Sequence, residues 1–124
     1  MKMLFTPEAH AMLFSHLDGS TLTAKIVSSE IWPVSAAATS VPPEAVLSSV
    51  VLTGVEIVDG ALRFDPVTFT FAADDDRTGD CVVVCRGTAP FYADSKPPGL
   101  PVRPSENSAP RPWRVPETGL LRLG

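Results

Sequence analysis

The sequence predicts a mainly β domain built by antiparallel pairing, with one short N-terminal helix and proline-rich loops. Residues 67–71 alternate strictly between apolar side chains and threonines, which is typical of a half-buried strand. Residues 81–85 form a continuous apolar run after the polar, turn-rich stretch 74–80. The Asp-Gly pair at 59–60 suits a tight turn with positive φ. Together these features predict an antiparallel meander over residues 50–86, which we expect to be the core of the domain.

Length and charge limit the possible functions. The chain has 124 residues, which favours one domain with one modest core over residues 1–124. Its net charge of −4 gives no electrostatic reason to expect nucleic-acid binding, which normally uses a basic patch. No apolar run approaches the ~20 residues of a membrane-spanning helix, and Pro7, Glu8 and His10 interrupt any signal-peptide core. We therefore expect a protein that is made in the cytoplasm and binds neither nucleic acid nor membrane.

The N-terminal segment carries the signals of a helix. Residues 6–8, Thr-Pro-Glu, supply a hydroxyl N-cap, a proline at the first helical position and a carboxylate in the first turn. The Asp-Gly pair at 18–19 would end the helix. His10 and His16 lie too far apart around such a helix to chelate one metal ion from adjacent turns. The apolar residues at helical spacing are Ala9, Met12, Leu13 and Leu17.

The segment before the predicted meander contains one strand and a long excursion. Residues 21–28 alternate as a strand does. Residues 30–43 end in two prolines that forbid regular pairing, so we expect this segment to fold over the sheet or to extend toward a neighbour. Residues 43–47 are expected to form a single helical turn.

Prolines dominate the chain after Gly87. Residues 89–94 read as a short strand, and residues 96–112 are expected to form an extended arm because prolines recur along them. Residues 113–115 and 120–123 are each expected to form a short strand, the second of which closes the sheet.

The two cysteines, Cys81 and Cys85, are four positions apart in one predicted strand. Their Cα atoms would then be roughly 13 Å apart at ~3.3 Å per residue, which is far beyond disulfide reach. They face the same way as Val83, so we expect both to be buried free thiols.

Residues 74–76 are three consecutive aspartates, which raises the question of a calcium site. On the EF-hand pattern, Asp74, Asp76 and Gly79 fit the first ligands and the central glycine. Cys85 would then occupy the final position, which requires a bidentate glutamate, so the EF-hand interpretation fails. A calcium site of another kind stays open as an alternative to a solvated hairpin tip, which the composition favours.

No pattern in the sequence indicates catalysis. A nucleophile elbow, a zinc-protease motif, a phosphate-binding glycine loop and a Cys-x-x-Cys pair are all missing from it. Ser15, His16 and Asp18 are neighbours along the predicted helix, and such neighbours do not assemble a catalytic triad. The sequence therefore predicts that the protein is not an enzyme and that it holds no cofactor or metal.

The residues most suited to a partner lie in or beside the irregular segments. Trp and Tyr are enriched at interface anchors, whereas the alternative is that each aromatic side chain fills an end of the core. Prolines stiffen residues 30–43 and 96–112, so these arms can bridge a partner at low ordering cost. The candidate interface residues are Trp32, Val34, Tyr92, Arg103, Arg111 and Trp113.

A series of short motifs follows a fixed order along most of the chain. They are Leu52-Thr53-Gly54, Val58-Asp59-Gly60, Phe64-Asp65, Val67-Thr68-Phe69, Gly99-Leu100-Pro101-Val102-Arg103-Pro104, Trp113 and Gly119-Leu120-Leu121-Arg122-Leu123. This order resembles that of a family of small virion structural proteins of tailed bacteriophages. Residues 105–112 depart from the family pattern, which has a glycine-rich turn there, and residues 32–43 depart as well.

The resemblance implies a compact, jelly-roll-like antiparallel β-sandwich that serves in the virus particle and catalyses no reaction. The role it favours is capsid cement or decoration, in which the protein lies on the capsid surface and ties together subunits of the major capsid protein. Self-association as a dimer or trimer is expected too. Residues 35–43 and 96–112 would then contact capsid subunits or a second copy.

Two alternative functions remain open. A tail or fibre-associated virion protein would use the same fold to trimerise or to recognise a host surface. A carbohydrate-binding module would instead need exposed coplanar aromatic side chains, with calcium at residues 74–76 as a further possible feature.

Overall fold

A computed structural model describes residues 2–4, 22–34, 40–58, 61–87, 89–114 and 120–122. The described residues form ten strands and one 3₁₀ turn, Pro43–Ala45. All pairings among these strands are antiparallel, so the prediction of a mainly β, antiparallel fold is confirmed. The strands are β1 Lys2–Leu4, β2 Leu22–Val27, β3 Val46–Val51, β4 Glu56–Val58, β5 Ala61–Arg63, β6 Val67–Phe69, β7 Cys81–Arg86, β8 Ala89–Ser95, β9 Arg111–Trp113 and β10 Leu120–Arg122.

The largest sheet has five strands in the order β10-β8-β7-β2-β3. Its central strand, β7, pairs with β2 on one side, where Ile26 lies opposite Val82. On the other side β7 pairs with β8, where Val84 lies opposite Tyr92. Residues 81–85 are all buried, because side chains cover both faces of this strand. Burial on both faces explains why the sequence of this strand is a continuous apolar run.

The first face of this sheet packs against β6, β9 and the residues that lead into β6. Phe69 is fully buried, and Phe64 stacks on Trp113 with ring centroids 5.6 Å apart. Burying one large apolar side chain contributes about 1.5–3 kcal/mol, so this cluster supplies a large share of the stability. Its buried members are Leu22, Ala24, Ile26, Leu52, Phe64, Val67, Phe69, Val82, Val84, Tyr92 and Trp113.

The opposite face of the sheet is covered by the connection between β2 and β3. Trp32 and Val34 pack against the side chains of this face, and Val41 is buried among them. The described parts of residues 30–43 therefore fold over the sheet, which is one of the two courses expected for them. The buried members of this second cluster are Val27, Val41, Cys81, Val83, Cys85 and Ala93.

Two smaller sheets complete the described part of the fold. One has three strands in the order β1-β5-β4, and the other pairs β6 with β9. In the second, Val67 lies opposite Trp113 and Thr68 opposite Pro112. A proline is tolerated there because a sheet of two strands leaves one edge of each strand free of ladder bonds.

The predicted meander over residues 50–86 is wrong except for the pairing of β4 with β5. The first part of the predicted meander, residues 50–58, is divided between β3 and β4, and Gly54 between them has a φ of +65°. The strands β5, β6 and β7 lie in three different sheets. The physical reason is burial: β7 is apolar on both faces and belongs at the centre of a sheet, whereas β6 buries only one face. The turn at 59–60 lies outside the described residues.

The N-terminal predictions have mixed outcomes. The helix expected from Thr6 onward, with both histidines, lies outside the described residues. The strand expected over residues 21–28 is confirmed as β2, and the helical turn expected over 43–47 is present as the shorter 3₁₀ turn. Strand β1 is an addition that the sequence did not predict, and it pairs with β5 through Met3 opposite Leu62.

Two of the three strands predicted after Gly87 are confirmed, and the strand predicted over residues 113–115 shares only Trp113 with the observed β9. β8 extends one residue beyond the predicted 89–94, and β10 lies within the predicted 120–123. β9 begins two residues before the predicted 113–115, because Arg111 pairs with Phe69. β10 forms one edge of the large sheet. In the described part of the chain, no helix has the length and hydropathy of a transmembrane segment.

Candidate functional site

Two of the six candidate interface residues, Tyr92 and Trp113, are core residues. Tyr92 is 4% exposed and Trp113 is 5% exposed. Trp113 lies opposite Val67 in the two-stranded sheet, and Tyr92 lies opposite Val84 in the large sheet. Neither side chain is accessible to a partner, which removes both from the candidate interface. This placement agrees with the alternative that aromatic side chains fill the core.

Trp113 also makes a buried polar contact with the large sheet. Its Nε1–H donates a hydrogen bond of 3.0 Å to Oδ2 of Asp94 on β8. Asp94 lies opposite Val82 and is 7% exposed. Burial raises the pKa of Asp94, and the hydrogen bond from Trp113 opposes this shift. The contact joins β9 to the large sheet through a carboxylate that is removed from water.

The substitution D94N is expected to change how the free energy of unfolding depends on pH. Because the pKa of Asp94 is raised in the folded state, its contribution to the free energy of unfolding is largest below the ordinary carboxyl pKa of about 4. This contribution falls as the pH rises through the raised pKa. D94N keeps an acceptor for Trp113 without burying a charge, so its stability relative to wild type should rise over this range. Chemical unfolding at a series of pH values measures this, and parallel profiles would contradict it.

Trp32 and Val34 lie on the opposite face of the large sheet. Both are half-buried against the second cluster. The backbone around them is fixed, since the N–H groups of Ile31 and Trp32 donate to the carbonyl of Ser28 at 3.2 and 3.0 Å. Their apolar surfaces are largely used within the chain, and only their partly exposed edges face outward.

An ion pair fixes the loop between β6 and β7. Nη2 of Arg77 lies 2.6 Å from Oδ2 of Asp75, and Nε donates to Oδ1 at 2.9 Å. The side-chain hydrogen bond from Arg77 lowers the pKa of Asp75. Nη1 of Arg77 donates to the carbonyl of Glu44 at 2.7 Å, and the N–H of Ser105 donates to the carbonyl of Asp75 at 2.8 Å. These bonds tie the loop to the 3₁₀ turn and to the proline-rich arm.

Asp80 joins three segments at the start of β7. Its Oδ1 accepts the N–H of Ser29 at 2.9 Å, and its other carboxylate oxygen accepts the Ser29 hydroxyl. The backbone N–H of Asp80 donates to Val27 at 3.1 Å, and its carbonyl accepts the N–H of Lys96 at 2.8 Å. The turn after β2 and the start of the arm are therefore both held to this residue.

The hydrogen bonds of these carboxylates are relevant to the alternative of a calcium site at residues 74–76. Among the described residues, no three His, Cys, Asp or Glu side chains are grouped so that they could hold a metal ion. Asp75 and Asp80 accept hydrogen bonds from protein groups, whereas Asp74 and Asp76 are exposed. The loop is not a hairpin tip either, because it connects β6 in one sheet to β7 in another.

The arm of residues 96–112 is anchored along its length. Val102 and Gly79 exchange two backbone hydrogen bonds of 2.8 Å in an isolated β-bridge. Val102 and Pro104 are buried, whereas residues 105–110 are all exposed. The arm thus presents a continuous exposed stretch on a fixed base.

The two arginines of the candidate interface have different surroundings. Arg111 is half-buried, and its guanidinium donates to the carbonyls of Gly99 at 3.1 Å and Ala109 at 2.9 Å. It therefore holds the arm in its own conformation. Arg103 is exposed at the opposite end of the anchored part, where its carbonyl accepts the N–H of Glu106 at 2.8 Å.

Two shallow grooves meet at Arg103. The first has a volume of about 440 Å³ and lies between the turn after β2, the β6–β7 loop and the arm. The second has a volume of about 400 Å³ and follows the arm. Thr78 and Arg103 line both grooves. The first is completed by Ser28, Glu30, Ile31, Asp76 and Arg77.

Several residues of this region carry little signal in the sequence. Arg77 is notable there only as the one basic residue in the acidic stretch 74–80, where an Asp-x-Arg spacing lets a turn bring the two side chains together. No sequence pattern indicates a role for Thr78 or Glu30, because the groove that they line forms only when segments distant in sequence come together.

Burial changes the chemistry of the two thiols. Both cysteines are free and buried, as predicted. Burial raises the pKa of Cys81 to about 12 and that of Cys85 to about 11. Because the thiolate is the reactive form, neither residue is suited to nucleophilic or redox chemistry in the folded protein.

Both thiols are therefore expected to resist labelling in the native state. In a reaction with Ellman's reagent at pH 8, native protein should release almost no thionitrobenzoate, whereas protein unfolded in guanidinium chloride should release two equivalents, one from each cysteine. Rapid reaction of one equivalent in the native protein would show that a cysteine is accessible, and C81A and C85A would identify which.

The chain was compared with models of protein families, with curated proteins and with solved structures, and no match was found in any of the three.

Proposed function

We propose that this protein is a structural component of a tailed-bacteriophage virion that acts as capsid cement or decoration by binding the major capsid protein. We propose also that its fold is a jelly-roll-like β-sandwich. The order of the short motifs supports the first proposal. The packing of β6 and β9 against one face of the five-stranded antiparallel sheet supports the second.

The observation that carries the proposed role is the anchored arm. Its base is held by the Gly79–Val102 bridge and by the hydrogen bond from Ser105 to Asp75, while residues 105–110 are exposed. A surface that is already ordered loses little conformational entropy when a partner binds. Such a surface suits a protein whose task is to hold neighbouring subunits in place.

The other arm supports a contact role less directly. Trp32 and Val34 pack on the large sheet, and Val41 is buried. The described parts of residues 30–43 thus cover the core, and their exposed residues include Ile31, which is 43% exposed. We therefore assign the main capsid contact to residues 96–112 and a supporting contact to the exposed residues within 30–34 and 40–43.

The test uses the full chain and assembled empty capsids of the phage whose genome encodes it. Size-exclusion chromatography with light scattering, first on the protein alone and then with capsids, should show co-elution at high copy number. Replacing residues 105–110 by a Gly-Ser sequence of equal length should abolish co-elution without unfolding the protein. The matched control is T68A/T70A, which alters two exposed threonines outside the arm and should bind normally.

Three outcomes would contradict the proposal or one part of it. A stable trimer that does not bind capsids would favour a tail or fibre-associated protein. A monomer that does not bind them would overturn the virion assignment and direct attention to the carbohydrate-binding alternative. Binding that survives the Gly-Ser replacement would refute the assignment of the contact to the arm.

A further inference from the structure

We infer that the two grooves at Arg103 form one binding site for an extended peptide segment of a partner protein, with a carboxylate of that segment bound by Arg103. The grooves have volumes of about 440 and 400 Å³ and share Thr78 and Arg103, so they adjoin at these two residues. Two adjoining shallow grooves lined by polar side chains and irregular backbone fit a peptide strand better than a compact small molecule, which needs an enclosed pocket.

The walls of this site are held in place before any partner binds. The turn after β2 is fixed by the bonds of Ser29 to Asp80, and the β6–β7 loop by the Asp75–Arg77 ion pair. The arm is fixed by the Gly79–Val102 bridge. These contacts hold three segments that are distant in sequence around Arg103, which reduces the entropy lost on binding.

Arg103 differs from Arg77 and Arg111 in the contacts of its guanidinium. Arg77 donates to Asp75 and Glu44, and Arg111 donates to carbonyls of the arm. Among the described residues, the Arg103 guanidinium makes no hydrogen bond or ion pair, although Arg103 lines both grooves. A guanidinium presents a planar set of donors that matches a carboxylate in a two-point contact. Arg103 is therefore the recognition group for an acidic side chain.

The other residues that line the first groove determine which further side chains of the peptide it favours. Glu30 and Asp76 line it without an ion-pair partner among the described residues, so they favour a basic side chain on the bound segment. Ile31 is 43% exposed and lines the same groove, where it provides apolar contact. The site thus fits an extended segment that carries both an acidic and a basic residue. This inference rests on the proposed function only for the identity of the protein that supplies the segment.

The test uses an immobilised library of random ten-residue synthetic peptides and the full-length protein. Peptides that bind should share an acidic residue at one fixed position and a basic residue elsewhere. R103E should weaken binding of a selected peptide about tenfold or more, as expected for loss of a charged hydrogen bond, and should change the preferred residue at the fixed position from acidic to basic. R114E is the matched control, because Arg114 is exposed and lines neither groove.

The outcomes separate this inference from the proposed function. Absence of a shared acidic position, or affinity for R103E within twofold of wild type, would overturn the peptide site. A change of preference in R103E with unchanged R114E would establish it, whether or not the protein co-elutes with capsids. Failure of the wild-type protein to bind capsids would overturn only the proposed function.

Discussion

Replacing Trp113 with alanine is expected to lower the free energy of unfolding by at least about 4 kcal/mol. Removing a large buried aromatic side chain costs about 3–5 kcal/mol. Loss of the Nε1 donor also leaves Asp94 buried without that hydrogen bond, which costs about 1–3 kcal/mol more. Domains of this kind are stable by only about 5–15 kcal/mol, so W113A should be close to unfolded at room temperature. Urea unfolding followed by circular dichroism measures the change.

Two further variants separate the causes of this loss. W113F keeps an aromatic ring beside Phe64 but removes the donor to Asp94, so it should cost about 1–3 kcal/mol. W32A removes the other tryptophan, which is half-buried at the surface of the second cluster, and should cost less than W113A. If W113A were no more damaging than W32A, Trp113 would not have the central position that its 5% exposure indicates.

The substitution G79V is expected to lower the free energy of unfolding by more than about 3 kcal/mol. A Cβ atom on Gly79 would lie 2.5 Å from Cγ2 of Ile26 and 3.1 Å from Cδ2 of Leu47, so the core would have to move. Overpacking of a core costs about 1–3 kcal/mol, which we expect for G79A, and valine adds two more methyl groups. The same change should disturb the bridge to Val102 that holds the arm. Thermal unfolding measures the stability, and hydrogen exchange at the Val102 amide reports the bridge.

G87A provides the matched control for this effect. Gly87 has a φ of +63°, and an added Cβ would meet no atom within 4 Å. Its cost of about 1–2 kcal/mol would come from the left-handed backbone alone. A loss in G79V that did not exceed the loss in G87A, together with unchanged exchange at Val102, would contradict the close packing at Gly79.

Local patterns in the sequence predicted strands better than they predicted pairing. β2, β7 and β8 lie within one residue of their predicted bounds, because alternation and apolar runs are properties of neighbouring residues. The partner of each strand is decided by contacts between distant parts of the chain. Placing β7 between β2 and β8 requires both of its faces to be covered, and the side chains that cover them come from β6, β9 and the β2–β3 connection.

The candidate site shows the same difference between what local sequence patterns predict and what contacts between distant segments decide. Proline content predicted that residues 96–112 form an extended arm, and within this segment residues 105–110 are exposed, whereas Val102 and Pro104 are buried. It gave no indication that Trp113 turns inward, because this depends on the pairing of β9 with β6 and on the acceptor that Asp94 supplies. Arg103 and Arg111 look equivalent in the sequence, yet only the fold gives Arg111 the carbonyls that occupy its guanidinium.

The position of β7 at the centre of the large sheet affects how the chain can fold during translation. The first half of the sheet, β2 with β3, is synthesised well before the strand that completes it. Until β7 leaves the ribosome, Leu22, Ala24 and Ile26 have no neighbouring strand on that side. The cluster that covers them also still lacks four of its buried members, which are Val82, Val84, Tyr92 and Trp113. Pairings of this kind between distant segments form slowly, on the order of milliseconds to seconds. Nascent chains that end before Cys81 should therefore depend on chaperones, and the domain should acquire its native core only after most of its length has been made.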